Sequence, residues 1–263
     1  MSESLDATRY VLILLAAFAG SAVNSIAGGG TLITFPAIVG LGIKPIVANA
    51  TSTVALWPGQ VASIWGYRDE LAGAREWAKR WAIPSVLGGF AGAALLLVTP
   101  ADRFEVIVPW LVLGATFLFV AQKPVMRALG RAGSVGGDGA PDPTAHRAPV
   151  GALAYQFGVG VYGGYFGAGI GILMLAVLGY LGFSNIHRMN GLKNWGGLCI
   201  NAAAVLTFAL SSLVQWPVAL IMALGALTGG YVGARTAQRV PQKVVRQAIA
   251  IIGFASGLWM LLD

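Results

Sequence analysis

The sequence predicts an all-α polytopic membrane protein of two inverted repeats, each a broken or re-entrant helical hairpin followed by three transmembrane helices. Three observations carry that expectation. Only 10% of the 263 residues are charged while 57% are hydrophobic. The chain matches itself at a nearly constant offset. Loops that correspond across that match carry opposite charge bias.

Composition comes first. An average soluble domain carries about 25% charged residues, and 17 Lys+Arg with 10 Asp+Glu cannot cover the surface of a globule of this length. A soluble enzyme, a disordered chain and a disulfide scaffold are therefore excluded, and the bilayer is the solvent for most of the surface. The 37 glycines agree, because glycine lets transmembrane helices approach closely. Cys199 is the single cysteine, so neither a disulfide nor a metal-binding constellation is expected. No cofactor motif is present. The net charge of +7 marks cytoplasmic loops and not a nucleic-acid surface. Glu3 and Asp6 make residues 1–9 a weak signal-peptide start, and no cleavable leader is expected.

The elements follow from where the charges fall. No Asp, Glu, Lys or Arg occurs between Arg9 and Lys44. That stretch is too long for one span of about 20 residues and too short for two with a turn. Residues 45–66 make one span, 67–80 a polar loop, 81–99 a second span and 105–122 a third, with a turn from Thr99 to Arg103. Residues 123–148, rich in Gly, Pro, Arg and Asp, read as a cytoplasmic linker between a first repeat (1–122) and a second (149–263). The second half repeats the plan: an uncharged stretch from Ala148 to Ile186, then spans near 190–210, 217–234 and 247–262.

The halves match in detail. Gly88-Gly89-Phe90-Ala91-Gly92-Ala93 returns as Gly229-Gly230-Tyr231-Val232-Gly233-Ala234, an offset of 141 shared by Asn49 and Asn190, by Gln60 and Asn201, and by Pro100 and Pro241. Earlier in each half the offset is 139, as for Gly28 and Gly167, Gly30 and Gly169, or Gly40 and Gly179. The loop at 67–80 carries Arg68, Arg75, Lys79 and Arg80, whereas its counterpart near 211–216 has no basic residue. Around 100–104 only Arg103 is basic, whereas the counterpart at 235–246 has Arg235, Arg239, Lys243 and Arg246. Opposite bias at equivalent loops implies opposite orientation. With 67–80, 123–148, 183–193 and 235–246 in the cytoplasm, each half crosses an odd number of times, which a hairpin plus three spans satisfies. Eight full crossings would put the basic loop at 235–246 outside, against the charge rule.

Candidate functional residues lie at the interruptions. Asn24 precedes Gly28-Gly29-Gly30-Thr31, a run that breaks a helix and starts another with unpaired N–H groups. Such groups at membrane depth need a polar cavity or ligand, and a helix N-terminus suits an anion. Gly167 and Gly169 supply the counterpart. Interrupted segments at equivalent places of two repeats point to a transport site; close helix packing is the alternative. At helical spacing Asn49, Thr53 and Gln60 share one face, as do Asn190, Asn194 and Asn201. These stripes either line a polar path or join helices by hydrogen bonds of about 0.6 kcal/mol each. Lys193 lies about 9 Å into its helix if that helix starts near His187. It either faces an anion or snorkels to the interface. His187 is a candidate proton gate.

No Asp or Glu lies within a span except Glu105, which stands at a span edge, and this favours a small anionic substrate over a cation. There is no Walker loop, no His-Glu-x-x-His and no Gly-x-Ser-x-Gly, so neither ATP hydrolysis nor a hydrolase is expected.

These residues resemble a known family. Asn24 with Gly28-Gly29-Gly30, Phe35-Pro36, Lys44-Pro45, Ala48-Asn49-Ala50-Thr51-Ser52 and Gly88-Gly89-Phe90-Ala91-Gly92 are similar to the sulfite exporter TauE/SafE family. Gly163-Gly164-Tyr165-Phe166-Gly167-Ala168-Gly169-Ile170-Gly171 and Met189-Asn190-Gly191-Leu192-Lys193-Asn194 are similar to its second repeat. The resemblance covers nearly the whole chain outside the termini and linker. It implies a permease of the bacterial inner (plasma) membrane for sulfite, organosulfonates or related anions, in many members an exporter. It implies no particular site residues. The expectation is a secondary transporter working by alternating access between the repeats. A passive anion channel and a non-transporting membrane scaffold are the rival readings, and the oligomeric state is open.

Overall fold

The computed structural model describes residues 7–26, 28–133, 148–183, 185–236 and 242–262. These residues form eleven helices: α1 (Ala7–Ile26), α2 (Thr31–Val39), α3 (Pro45–Gly66), α4 (Arg68–Ala72), α5 (Arg75–Val98), α6 (Ala101–Gly133), α7 (Val150–Tyr165), α8 (Ile170–Tyr180), α9 (Ile186–Ala209), α10 (Trp216–Thr236) and α11 (Gln242–Leu262). The protein is all-helical among the described residues.

Each half opens with a long helix, a glycine break and a short helix. Gly28, Gly167 and Gly169 sit at φ values of 81°, 83° and 82°, left-handed conformations that side-chain-bearing residues rarely adopt. The helices therefore end where the glycine runs fall. Pro45 starts α3 at a position where its missing N–H costs nothing. Asn185 starts α9 by accepting from the His187 and Arg188 amides.

Several bounds differ from the sequence reading: α5 starts at Arg75, inside the expected polar loop, and α6 at Ala101, inside the expected turn. The polar loop at 67–80 contains a short helix, α4, because Arg68, Asp69, Glu70 and Leu71 carry no turn signal. Helix α6 continues to Gly133, so the first part of the expected linker is helical. Residues 134–147 and the basic-loop residue Arg239 lie outside the described residues.

Four helices among the described residues are long and apolar enough to cross a membrane, in α1, α5, α6 and α10. Their outward faces expose large apolar side chains, among them Val98, Trp110, Phe117 and Leu224, a surface that suits hydrocarbon and not water. Helices α3 and α9 are equally long but interspersed with polar residues, and they bury Asn49, Thr51, Ser52, Lys193 and Asn194. They form the centre of the bundle.

The packing exchanges partners between halves. Helix α1 lies along α10 as α7 lies along α5; α3 lies against α10 as α9 lies against α5; α2 meets α11 as α8 meets α6. The close approaches repeat residue by residue. A Cβ on Gly88 would strike the Phe157 carbonyl and one on Gly229 the Phe18 carbonyl. Gly92 is closed off by Val161 and Gly233 by Ala22, while Gly89 rests on Ile200 and Gly230 on Gly59. These contacted residues are themselves 139 or 141 positions apart, the offsets read from the sequence. Helices α3 and α9 cross antiparallel: Trp57 Nε1 donates to the Leu198 carbonyl at 3.4 Å, while Gln60 lines the same small cavity as Lys193 and Asn194.

The helix ends beside Arg68, Arg188 and Arg235 gather at one end. Gly66 abuts Ala234, Gly73 faces the Arg188 guanidinium, and Gly191 lies against Glu70 and Leu71. The end of α3, helix α4, the start of α9 and the end of α10 therefore share one face of the bundle.

Candidate functional site

The two helix breaks meet at the centre of the bundle. Gly28 and Gly171 approach so closely that a Cβ on either would press at 3.0 Å on the other's Cα. The Lys193 stem crosses this junction, its Cδ 3.1 Å from where a Gly171 Cβ would stand. Its ammonium reaches the far side, where Nζ donates to the Asn24 and Ser25 carbonyls at 3.3 Å each. Asn194 Nδ2 adds a third bond, 3.4 Å to the Ser25 carbonyl.

The chemistry follows from the break. The last carbonyls of a helix have no intrahelical partner and carry partial negative charge. The Asn24 carbonyl accepts from the Gly28 amide at 3.2 Å, but ending α1 inside the protein would leave the Ser25 carbonyl orphaned in a dry medium. Lys193 and Asn194 satisfy it from α9, and Lys193 adds a second bond to the Asn24 carbonyl. The second break is held in the corresponding way by a side chain of the opposite half: Asn49 Nδ2, on α3, donates to the Tyr165 carbonyl at the end of α7, at 2.9 Å. Tyr162 Oη closes the same break on the Ala168 carbonyl at 2.8 Å.

Lys193 is 2% exposed, so it does not snorkel. It borders a cavity of about 20 Å³ whose wall includes Asn24, Gly28, Gln60, Met174 and Asn194, room for about one water. An ammonium has three N–H donors. The Asn24 and Ser25 carbonyls take two, which leaves the third for an occupant of the cavity. Ser25 Oγ and Gln60 Oε1 are buried without a hydrogen-bond partner among the described residues.

The remaining candidates are distributed around this centre. Gly29 abuts Phe119 and Ile249, and Gly30 presses on Gly20 and Asn24, so both pack against neighbours. Thr31 is half-buried at the start of α2. From Leu32 onward the α2 donors are satisfied locally: Leu32 donates to Gly29, and Ile33 and Thr34 to Gly30. Gly167 and Gly169 form the second break, on either side of Ala168. Thr53 Oγ1 donates to the Asn49 carbonyl at 2.9 Å. Asn190 is half-buried with Oδ1 unpartnered among the described residues. Asn201 is 9% exposed, deeper along α9 and outside the cavity wall. His187 is exposed on the first turn of α9. Sequence reasoning did not single out Ser25 or Met174. Ser25 follows Asn24 directly at the break, and that position is the one signal that could have found it.

Comparison with known proteins gives a consistent result. Residues 12–260 match the family model described as Sulfite exporter TauE/SafE. The chain is 29% identical over 255 residues to a probable membrane transporter protein, ORF9, of Sinorhizobium sp., covering 95% of this chain and 92% of that protein. It is 28% identical over 260 residues to a probable membrane transporter protein of Haemophilus influenzae, covering 96% and 94%. It is 29% identical over 264 residues to the probable membrane transporter protein YfcA of Escherichia coli K12, covering 96% and 89%. No solved structure matches. With a family match that spans almost its whole length and a bundle of apolar helices around a polar centre, the chain is an integral membrane protein that belongs to the sulfite exporter TauE/SafE family.

Proposed function

We propose that the protein is a secondary transporter of a small anion such as sulfite or an organosulfonate, acting as an exporter, and not an enzyme. The observation that carries the reading is Lys193, an ammonium held between the two helix breaks at the edge of a polar cavity. A buried cation with a donor to spare suits an oxyanion. The uncharged hydrogen-bonding groups of Asn24, Gln60 and Asn194 around it would complete the anion's shell.

The chain is read as a first repeat (1–122) and a second (149–263) in opposite orientations, joined through the cytoplasmic segment 123–148. The partner exchange in the packing, the repeated glycine contacts and the antiparallel crossing of α3 and α9 support that division. Because each packed group mixes the two repeats, rocking α1, α3 and α10 together against α5, α7 and α9 would open the cavity alternately to each side. The present cavity is too small for sulfite, so transport on this reading requires it to widen. Asn49, Thr53, Asn190 and Asn201 would line the path on either side of the centre. Asn24 and Gly28 to Thr31 on one side, with Gly167 and Gly169 on the other, would form its hinges. His187 would exchange protons at the exposed end of α9.

The test is flux in proteoliposomes loaded with sulfite, sulfoacetate, taurine or a carboxylate. Saturable sulfite or sulfonate flux that responds to a pH gradient is the expected result. Non-saturating flux without proton coupling would mark a channel, and no flux of any anion would mark a scaffold.

A further inference from the structure

A second polar cluster lies behind the cavity wall. Gln156 on α7, Ser85 and Trp81 on α5 are each 0% exposed. Ser85 Oγ donates to the Trp81 carbonyl at 2.6 Å. A hydroxyl has one proton, so the same oxygen must accept from Gln156, and Gln156 Nε2 lies 2.8 Å from it. The network thereby fixes the amide: Gln156 Oε1 points elsewhere. That oxygen and Trp81 Nε1 are both buried without a hydrogen-bond partner among the described residues. One is an acceptor and the other a donor.

Met174 is the partition. Its sulfur lies 3.5 Å from Gln156 Nε2, and Met174 also forms part of the Lys193 cavity wall. At Gly196 on α9 a Cβ would stand 2.8 Å from the Met174 sulfur and 2.9 Å from Trp81 Nε1, so the partition and the indole meet at one point. Methionine is unbranched and adapts readily to a changed neighbour.

The other half of the molecule shows that the fold does not need these polar groups. At the repeat offsets, Trp81 corresponds to Met222, Ser85 to Ala226, Gln156 to Ala17 and Met174 to Phe35. All four counterparts are buried apolar residues in the core. A buried unsatisfied polar atom costs about 1–3 kcal/mol, and one half carries two of them where the other carries none.

We propose that the Lys193 cavity extends past the Met174 side chain into a second subsite formed by Trp81, Ser85 and Gln156, which takes the uncharged, hydrogen-bond-donating end of a substituted sulfonate. The proposal rests on the anion-transport reading above: Lys193 holds the charged end, and the subsite reads the tail. A hydroxyl placed there donates to Gln156 Oε1. A hydroxyl also accepts from Trp81 Nε1. A methyl group of the same size leaves both unpaired.

The experiment compares uptake of 2-hydroxyethanesulfonate and propanesulfonate, which differ by a hydroxyl in place of a methyl, by the full chain in proteoliposomes. The native protein should favour the hydroxyl compound about five- to tenfold, the worth of one well-made hydrogen bond. In Gln156→Leu and Trp81→Phe that ratio should fall toward one. Uptake of both compounds with the ratio unchanged in both variants overturns the subsite and leaves anion transport standing. A second readout does not depend on transport. Gln156→Cys in a Cys199→Ala background should react with a water-soluble anionic thiosulfonate reagent, and 2-hydroxyethanesulfonate should slow the reaction. Uptake of neither sulfonate removes the transport reading. The labelling then decides the subsite, a reactive Cys supporting it and an unreactive one overturning it.

Discussion

The Lys193 ammonium lies 3.3 Å from the Ser25 carbonyl, joining α9 of one half to the broken end of α1 in the other. A helix that stops inside a membrane protein exposes carbonyl oxygens, and a cation from a neighbouring helix is one of the few groups that can satisfy them in place of water. The same contact holds the break shut and places a charge beside the cavity.

Lys193→Met keeps the stem and removes the charge. Sulfite flux should fall at least tenfold, and thermal unfolding in detergent should show a loss of about 1–3 kcal/mol as the Asn24 and Ser25 carbonyls lose a partner. Lys193→Arg should restore part of the stability. Full flux in Lys193→Met would remove Lys193 from the transport site.

Asn49 and Asn190 occupy equivalent positions but do different work. Asn49→Leu leaves the Tyr165 carbonyl unpaired at the second break and should cost about 1–3 kcal/mol. Asn190→Leu removes an amide whose Oδ1 is unpartnered and should cost clearly less. Thermal melts of the two variants side by side check the difference.

Gly92→Ala and Gly233→Ala each press a methyl group onto a facing backbone, that of Val161 and of Ala22 respectively. Overpacking of this kind costs about 1–3 kcal/mol, and the duplication predicts similar losses at the two sites. Gly114→Ala, with open space around it, should leave the unfolding midpoint unchanged or raised. A large gap between the Gly92 and Gly233 variants would count against equivalent packing.

Single cysteines in a Cys199→Ala background test the topology. Asp69→Cys and Arg235→Cys should label from the same side of sealed vesicles, and Asp102→Cys from the other. Labelling of positions 69 and 235 from opposite sides would sink the inverted arrangement.

His187→Gln tests the proposed proton gate. The variant should weaken the response of sulfite flux to an imposed pH gradient. An unaltered response would relieve His187 of that role.

Much of the fold was legible because its causes are local. Gly28 and Gly167 take a left-handed backbone that side-chain-bearing residues rarely adopt, so the breaks could be placed from the glycine runs. The offsets of 139 and 141 reappear as paired close contacts, Gly88 on Phe157 with Gly229 on Phe18. Small residues at fixed spacing record which helix faces meet. The extension of α6 to Gly133 was hidden by a composition that reads as a linker, and α4 by its length of 5 residues.

Sequence by itself determined the solvent, the helical class, the two breaks and the internal match, since charge content, apolar run length and glycine stereochemistry act without reference to distant residues. It also drew attention to Lys193, but helix phase left open whether that side chain turned outward or inward. Only the tertiary structure decided this, by bringing the carbonyl end of α1 across from α9 to receive it. The sequence pointed to N–H groups at the glycine breaks; packing brings the start of α8, at Ile170 and Gly171, to the cavity together with the carbonyl end of α1, and that carbonyl end calls for a cation. The Trp81–Ser85–Gln156 cluster was likewise beyond reach, because three residues from two distant helices become one environment only when α5 and α7 pack together.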